Sequence, residues 1–361
     1  MDESRYISPP SVCERLEDIL ARFGGTRDVV PGAEKTAHDY PPPSSASAEM
    51  LHYLRGGAAG QNEDVYLARL PGGRVFGPGA VLAPDGGSLA RDVSADLGKP
   101  FGRHWLLTYK KMKPPVRVPG ATAVAAVALG MGYGHWLLEE LPRLLMLRRE
   151  CREEFAVIAH TRPGFVREAF ELGAFGWRLL EAGRYAHYAC DRLIVPALAG
   201  APGHPAARAV RCLEEFTAPW RAPTSGFGER LYLSREKAGR RRVLNDADLG
   251  SRLEACGFRK IHAEELSWRE QINAFSHARV IVAPHGAGLA NLAFCRRGTR
   301  VVEFFNRAYV NPCYWRLAGI KGLDYHPLTT ESGAPIAYDP KSSRADILAD
   351  IPAILSAVTS A

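Results

Sequence analysis

Apolar positions along the chain fall into short runs whose spacing changes with position. Up to about residue 119 the runs are brief, as at 65–70 and 81–83, and turn-forming clusters bound them: PPPSS at 41–45, PGG at 71–73, GPG at 77–79 and PDGG at 84–87. Short strands between such turns predict hairpins or a meander. From 121 to about 220, strand-like runs at 123–129, 155–159 and 193–196 alternate with helical ones, an α/β pattern. A Pro, Thr, Ser and Gly cluster at 219–228 marks a linker, and beyond it the alternation becomes regular. Strands at 231–234, 260–262, 280–283 and 300–304 are separated by helices at 246–256, 268–278, 289–294 and 312–318. This order predicts a doubly wound parallel sheet. Ser267 and Glu270 form the spacing of a capping box, and Gly257 and Gly298 stand just past helix ends. A last helical pattern, 344–358, follows a loop at 329–343 and is expected to pack back on the first domain.

The 361 residues suffice for two domains with sizeable cores. Lys and Arg number 46 against 39 Asp and Glu, a net charge of +7. That excess admits anionic partners, although spread over this length it also serves solubility. Seven scattered cysteines show no C-x-x-C and no zinc spacing, which points to a reducing, cytoplasmic compartment. The N-terminal MDESRYISPP lacks the basic start and apolar core of a signal peptide. The uncharged stretch 121–138 approaches the length of a membrane span, but Gly130, Gly132, Gly134 and His135 interrupt it, so a buried strand, a turn and a new helix are expected.

The segment RVIVAPHGAGLANLAFCRRGTRVVEFF, from Arg279, reads as strand, glycine turn, helix and strand. Gly286 and Gly288 let backbone N–H groups at a helix start approach an anion, and Glu303 ends the next strand, where a carboxylate meets sugar hydroxyls. A dinucleotide fingerprint needs a third glycine where Asn291 stands and an acid later than Glu303, so NAD and FAD are discounted. No P-loop occurs. Arg235, Arg240, Arg241, Arg242 and Asn245 follow a strand end, and guanidinium forks there suit a diphosphate, the bland reading being a solvated basic loop.

In GYGHWLLEELPRL, from Gly132, helical spacing puts His135, Glu139 and Arg143 on one face, where a histidine and a carboxylate could take a proton from a hydroxyl. The plain alternative is an amphipathic helix with a Glu to Arg pair. Pro142 is expected to kink that helix or to mark its true start. Asp246 and Asp248 match a D-x-D metal motif, yet they open a helix, where the dipole favours acids. No G-x-S-x-G occurs, nor a cysteine beside a histidine, so hydrolase chemistry has no signal.

Together GYGHWLLEELPRL, LYLSREKAGRRRVLN and PHGAGLAN with VVEFF resemble the family 61 glycosyltransferases and the related bacterial capsular polysaccharide biosynthesis proteins, in order across 121–328. The resemblance implies an α/β, GT-B-like fold of two Rossmann-like domains facing a cleft, behind an N-terminal hairpin-rich extension. It assigns 1–120 to that extension, 121–222 to an acceptor domain, 223–335 to a nucleotide-sugar domain and 336–361 to the returning helix. It implies an inverting, metal-independent hexosyl- or pentosyltransferase with no cofactor, using a nucleotide-sugar donor, UDP-linked, and a glycan or lipid-linked acceptor in cell-surface polysaccharide synthesis. Carried over by residue, Arg235, Arg241, Asn245, His285, Gly286, Ala287, Gly288, Asn291 and Glu303 match the donor side, and Glu139 and His135 the acceptor side. Peripheral contact with an anionic membrane at the inner face is a further expectation. The competing class is a non-catalytic nucleotide or nucleic-acid binding module; aromatics are not interleaved with the basic loop as stacking on nucleic acid requires.

Overall fold

The computed structural model describes residues 6–30, 40, 42–43, 46–56, 65–96, 99–200, 203–330 and 335–359. The whole of the MDESR start and part of the PPPSS turn lie outside these residues. The chain divides into two compact units, Met1–Thr36 with Asn62–Gly203, and Ala37–Gln61 with His204–Ala361.

The first unit is built on one sheet, ten-stranded among the described residues. Its strands are β1 (Val12–Glu14), β2 (Thr26–Val29), β3 (Tyr66–Pro71), β4 (Arg74–Phe76), β5 (Ala80–Leu82), β6 (Ser88–Ala90), β7 (Val116–Val124), β8 (Ala156–Ala159), β9 (Arg178–Glu181) and β10 (His187–Pro196). The order β10-β7-β8-β9 is parallel throughout. On the other edge of β10, β3 and β4 pair antiparallel. The hairpins expected as a separate extension therefore complete the same sheet. They cover a strand edge that would otherwise expose a row of unpaired backbone groups. Leu70, Val75, Val124, Ile158, Leu193 and Val195 form one buried core across both parts.

β7 begins earlier than its apolar run suggested, because Pro119 and Gly120 lie inside it. Gly120 has φ of +79°, and the register with β10 shifts between Cys190 and Arg192. These turn signals belong to a bulge within a long strand. The stretch 125–138 continues as turns and a helical start, and no helix among the described residues is long and apolar enough to cross a membrane.

The second unit carries a five-stranded, wholly parallel sheet: β11 (Arg230–Leu233), β12 (Arg259–Ile261), β13 (Val280–Pro284), β14 (Arg300–Phe305) and β15 (Asp324–Thr329), in the order β12-β11-β13-β14-β15. This is the doubly wound arrangement, with the chain reversing direction across the sheet between β11 and β13. Tyr232, Val282, Val302 and Phe304 share one face with Leu249 and Leu253 of the helix Asp246–Ala255. Residues out of step with these, Glu303 among them, occupy the opposite face. The helix Ile351–Thr359 adds Ile354 and Val358 to that same core, so it packs on the second unit and not back on the first as expected. Its apolar side is complementary to the otherwise open face of β14 and β15. The capping box forms as read, and Gly257 and Gly298 adopt positive φ.

Candidate active site

In an open parallel sheet, ligands sit outside the carboxyl ends of the strands where the winding direction reverses. In the second unit that point lies between the ends of β11 and β13, and the sequence places Arg235 after one and His285 after the other. Arg235 donates from Nη2 to Arg240 O at 2.8 Å and from Nε to Arg241 O at 3.2 Å, which folds the basic loop around its own guanidinium. Burial, reinforced by the neighbouring Arg241, pushes the Arg235 pKa down to about 10. Gly286 leaves room for that guanidinium, since a Cβ there would stand 2.2 Å from Arg235 Nη1 in its present position.

Arg241 is buried, with φ of +53°, and donates to His285 O at 3.2 Å and Ser343 O at 2.7 Å. Its guanidinium carbon lies 5.5 Å from the Tyr309 ring centroid. Burial lowers its pKa as well. Two cations held together, with no carboxylate hydrogen-bonded to either guanidinium among the described residues, create a site that favours an anionic ligand.

His285 is buried, and its Nδ1 lies 2.6 Å from Glu303 Oε1; the other Glu303 oxygen accepts from Tyr325 Oη at 2.5 Å. Glu303 is fully buried. Glu303, expected to meet sugar hydroxyls, orients His285, which stacks on Phe305 with centroids 5.2 Å apart. The Asn245 amide, also expected on the donor side, both donates to and accepts from the backbone of Ala349 at 2.9 Å, tying the C-terminal segment to the sheet. Asn291 is fully buried and donates to Gln271 Oε1 and Gly288 O, which fixes the glycine turn from beneath. The expected helix at 289–294 is a tighter 3₁₀ segment, Ala287–Phe294, so Ala287 and Gly288 stand in its first turn. Gly288 lies against Leu233, 2.9 Å from a notional Cβ.

The first unit has its own reversal point, between β10 and β7. There the helix of GYGHWLLEELPRL is interrupted by a π-helical turn, Trp136–Glu140, closed by Leu141 N–H to Trp136 O. Pro142 falls in the first turn of the regular helix Leu141–Glu150, the true start that a proline marks. His135 Nδ1 meets Glu139 Oε1 at 2.7 Å, and the same oxygen accepts from Gly203 N at 3.0 Å. Glu139 borders a hollow with Gly79, Val127 and Leu198.

Arg143 leaves the face that regular spacing gave it, because the wider turn carries it inward. It is fully buried and donates to Ala125 O, Ala126 O and Pro196 O, each at 3.0 Å, clamping together the ends of β7 and β10. Burial pushes its pKa down to about 10. Sequence reasoning missed the adjacent Glu140, which pairs with His160 at the end of β8. The one available signal was a histidine directly after a parallel strand.

Asp246 of the D-x-D pattern accepts from Tyr232 Oη and Ser234 Oγ and lies 2.5 Å from Lys260 Nζ, while Asp248 pairs with Arg252. Both aspartates serve the start of the helix and its surroundings.

A mixed sheet and a wholly parallel one, each with polar groups at the reversal point of its parallel strands, define an α/β protein. Residues 133–302 match the model of the family Glycosyltransferase 61, the resemblance that the three segments carry. Among curated proteins, a beta-1,2-xylosyltransferase of Arabidopsis thaliana is 30% identical over 78 residues, 21% of this chain and 15% of that protein. Beta-1,2-xylosyltransferase RCN11 of Oryza sativa subsp. japonica is 32% identical over 63 residues, 18% of this chain and 12% of that protein. The similarity thus spans less than one sixth of either relative.

Proposed function

We propose that the protein is an inverting glycosyltransferase that moves a sugar from a UDP-linked donor to a hydroxyl of a glycan or glycolipid in cell-surface polysaccharide synthesis. The observation that carries this reading is the pair Arg235 and Arg241 beside the Gly286 to Gly288 turn at the reversal point of the second sheet. As the bond between the anomeric carbon and the diphosphate oxygen breaks, the negative charge left on the diphosphate is met by guanidinium groups already fixed in place. Positioned charges of this kind act without reorganisation.

The acceptor oxygen forms the new bond on the opposite face of the anomeric carbon, and its proton goes to Glu139. His135 and Gly203 N engage Glu139 Oε1, and among the described residues Oε2 has no partner, which leaves it for the acceptor hydroxyl. The family match and the transferase activity of the two relatives support the reaction class. Metal independence belongs to the proposal too: the Asp246 carboxylate would have to give up Tyr232, Ser234 and Lys260 to ligate an ion. A cytoplasmic site of action, with peripheral contact to an anionic membrane, completes it and predicts salt-sensitive sedimentation with anionic liposomes.

Thermal melting with a panel of nucleotides and nucleotide sugars, each with and without EDTA, tests the reading, since a ligand specific for the folded state raises the melting point. A selective rise with uridine nucleotides, indifferent to EDTA and lost in Arg235→Ala, is expected. No rise with any nucleotide would overturn it.

A further inference from the structure

Beside the Glu139 hollow lies a second cavity of about 250 Å³ at the carboxyl ends of β8 and β9, bordered by His160, Arg162, Glu181, Gly183 and Arg184. The two hollows share Pro78 and Ala128 as wall. Nothing in the proposed reaction uses the second one, yet its inner wall is elaborately held.

Glu140 is fully buried and accepts from His160 N at 2.8 Å and Val127 N at 3.2 Å. Its Oε2 also lies 2.7 Å from His160 Nδ1. Both carboxylate oxygens are thus committed as acceptors of backbone N–H groups, so the proton in the third bond belongs to the imidazole and Nδ1 donates. Nε2 is then the ring nitrogen left with a lone pair for a ligand. The backbone passes so close over this pair that a Cβ at Gly130 would stand 2.1 Å from Glu140 Oε2 and 2.6 Å from His160 Nδ1.

The rest of the wall is apolar at Pro78, Ala128, Met131 and Ala182, with donors and an acceptor beside it at Arg162, Arg184 and Glu181. Arg162 and Arg184 are exposed cations, and Arg162 lies 3.5 Å from Glu181. A phosphate would want donors only, and a lone-pair nitrogen with a carboxylate opposes it. A ring of hydroxyl groups, each both donor and acceptor, matches the mixture. The volume is below the range of about 300 to 1,000 Å³ typical of drug-sized ligands, and it suits one monosaccharide.

We infer that this cavity is a subsite for one neutral pyranose residue of the acceptor glycan, with His160 Nε2 accepting a hydrogen bond from a sugar hydroxyl and Glu140 fixing the imidazole in the tautomer that can do so. The inference rests on the acceptor reading of the first unit. It gives the residue bound there a place directly beside Glu139, along the shared wall.

The test uses the native full chain without nucleotide. Methyl β-D-xylopyranoside, methyl β-D-glucopyranoside and methyl α-D-mannopyranoside, with inorganic phosphate as the charged control, are titrated while the ¹⁵N resonances of the histidine rings are followed. At least one glycoside is expected to shift His160 Nε2, with binding weakened about fivefold in the surface variant Arg184→Ala, the worth of one hydrogen bond, and lost in His160→Phe. Wild-type protein in which no glycoside moves His160, or in which phosphate alone does, overturns the subsite. Equal glycoside binding by His160→Phe overturns it too. Nucleotide-induced stabilisation is measured on the same samples: its absence with glycoside binding intact would sink the transferase reading alone, and the reverse pattern would sink the subsite alone.

Discussion

The reversal points of the two sheets are built to opposite specifications. In the second unit, polar groups at the strand ends are locked by their neighbours: Arg235 by two carbonyls of its own loop, Arg241 by His285 O and Ser343 O, and His285 by Glu303. In the first unit the buried Arg143 is locked in the same manner, but Glu139 sits at the rim of a hollow with one oxygen unengaged among the described residues. The difference fits a division of labour in which fixed charge receives a departing anion and a proton acceptor meets partners of variable shape. A site for charge gains from rigidity; a site for proton removal needs reach and the right basicity.

Breaking the open side should cost most. Glu139→Gln is expected to lower turnover by about 10²- to 10⁴-fold while leaving nucleotide-induced stabilisation intact; steady-state kinetics with unchanged turnover would remove Glu139 from the role of base. Breaking the locked side comes next. Arg235→Ala should lower kcat/KM by about 10²- to 10³-fold and abolish the nucleotide effect on melting, and retention of both would show that the anion is held elsewhere.

Acid sharpens the contrast by stability. His104, in the first unit, is buried and accepts from Leu106 N at Nδ1, and burial pushes its pKa down to about 4. The unfolded chain takes up the proton near pH 6.5 and the folded one only near 4, so the folded state loses ground as pH falls through that window and is unaffected above it. The loss approaches about 3 kcal/mol at the lower end. Hydrogen exchange from pH 7.5 to 4.5 should show the first unit opening before the second, and His104→Gln should flatten the profile; simultaneous opening would contradict it. The smallest effect is expected from Glu303→Gln, which weakens one buried hydrogen bond to His285 for about 1 to 3 kcal/mol, read as a lower melting point of the second unit with no change in the first.

The two units were also unequally legible. In the second, β11, β13 and β14 are largely buried apolar runs, and the strands and helices read from 231 to 318 lie within a few residues of their expected bounds; β15, with Asp324, His326 and Pro327 in it, was not read, and the last helix begins at Ile351 and not at 344. In the first, Pro119 and Gly120 read as a break although they lie within β7, because a bulge uses the same residues as a turn. At the site, residue types were legible and their duties were not. Glu303, Asn245 and Asn291 look like ligand contacts along the chain, and only three-dimensional packing shows their polar atoms engaged by Tyr325, Ala349 and Gln271. Glu140 and His160, twenty positions apart, share no spacing that links them until the π turn and the end of β8 bring them together.

The segment after β15 gives this architecture an unexpected economy. Ser343 supplies the carbonyl that holds Arg241, Ala349 engages Asn245, and Ile354 and Val358 close the face of the sheet. A chain ended after Thr330 would keep all five strands of the second unit and still lose the carbonyl anchoring one of its two central cations. The tail therefore serves the second sheet twice, covering one face of its core and anchoring Arg241.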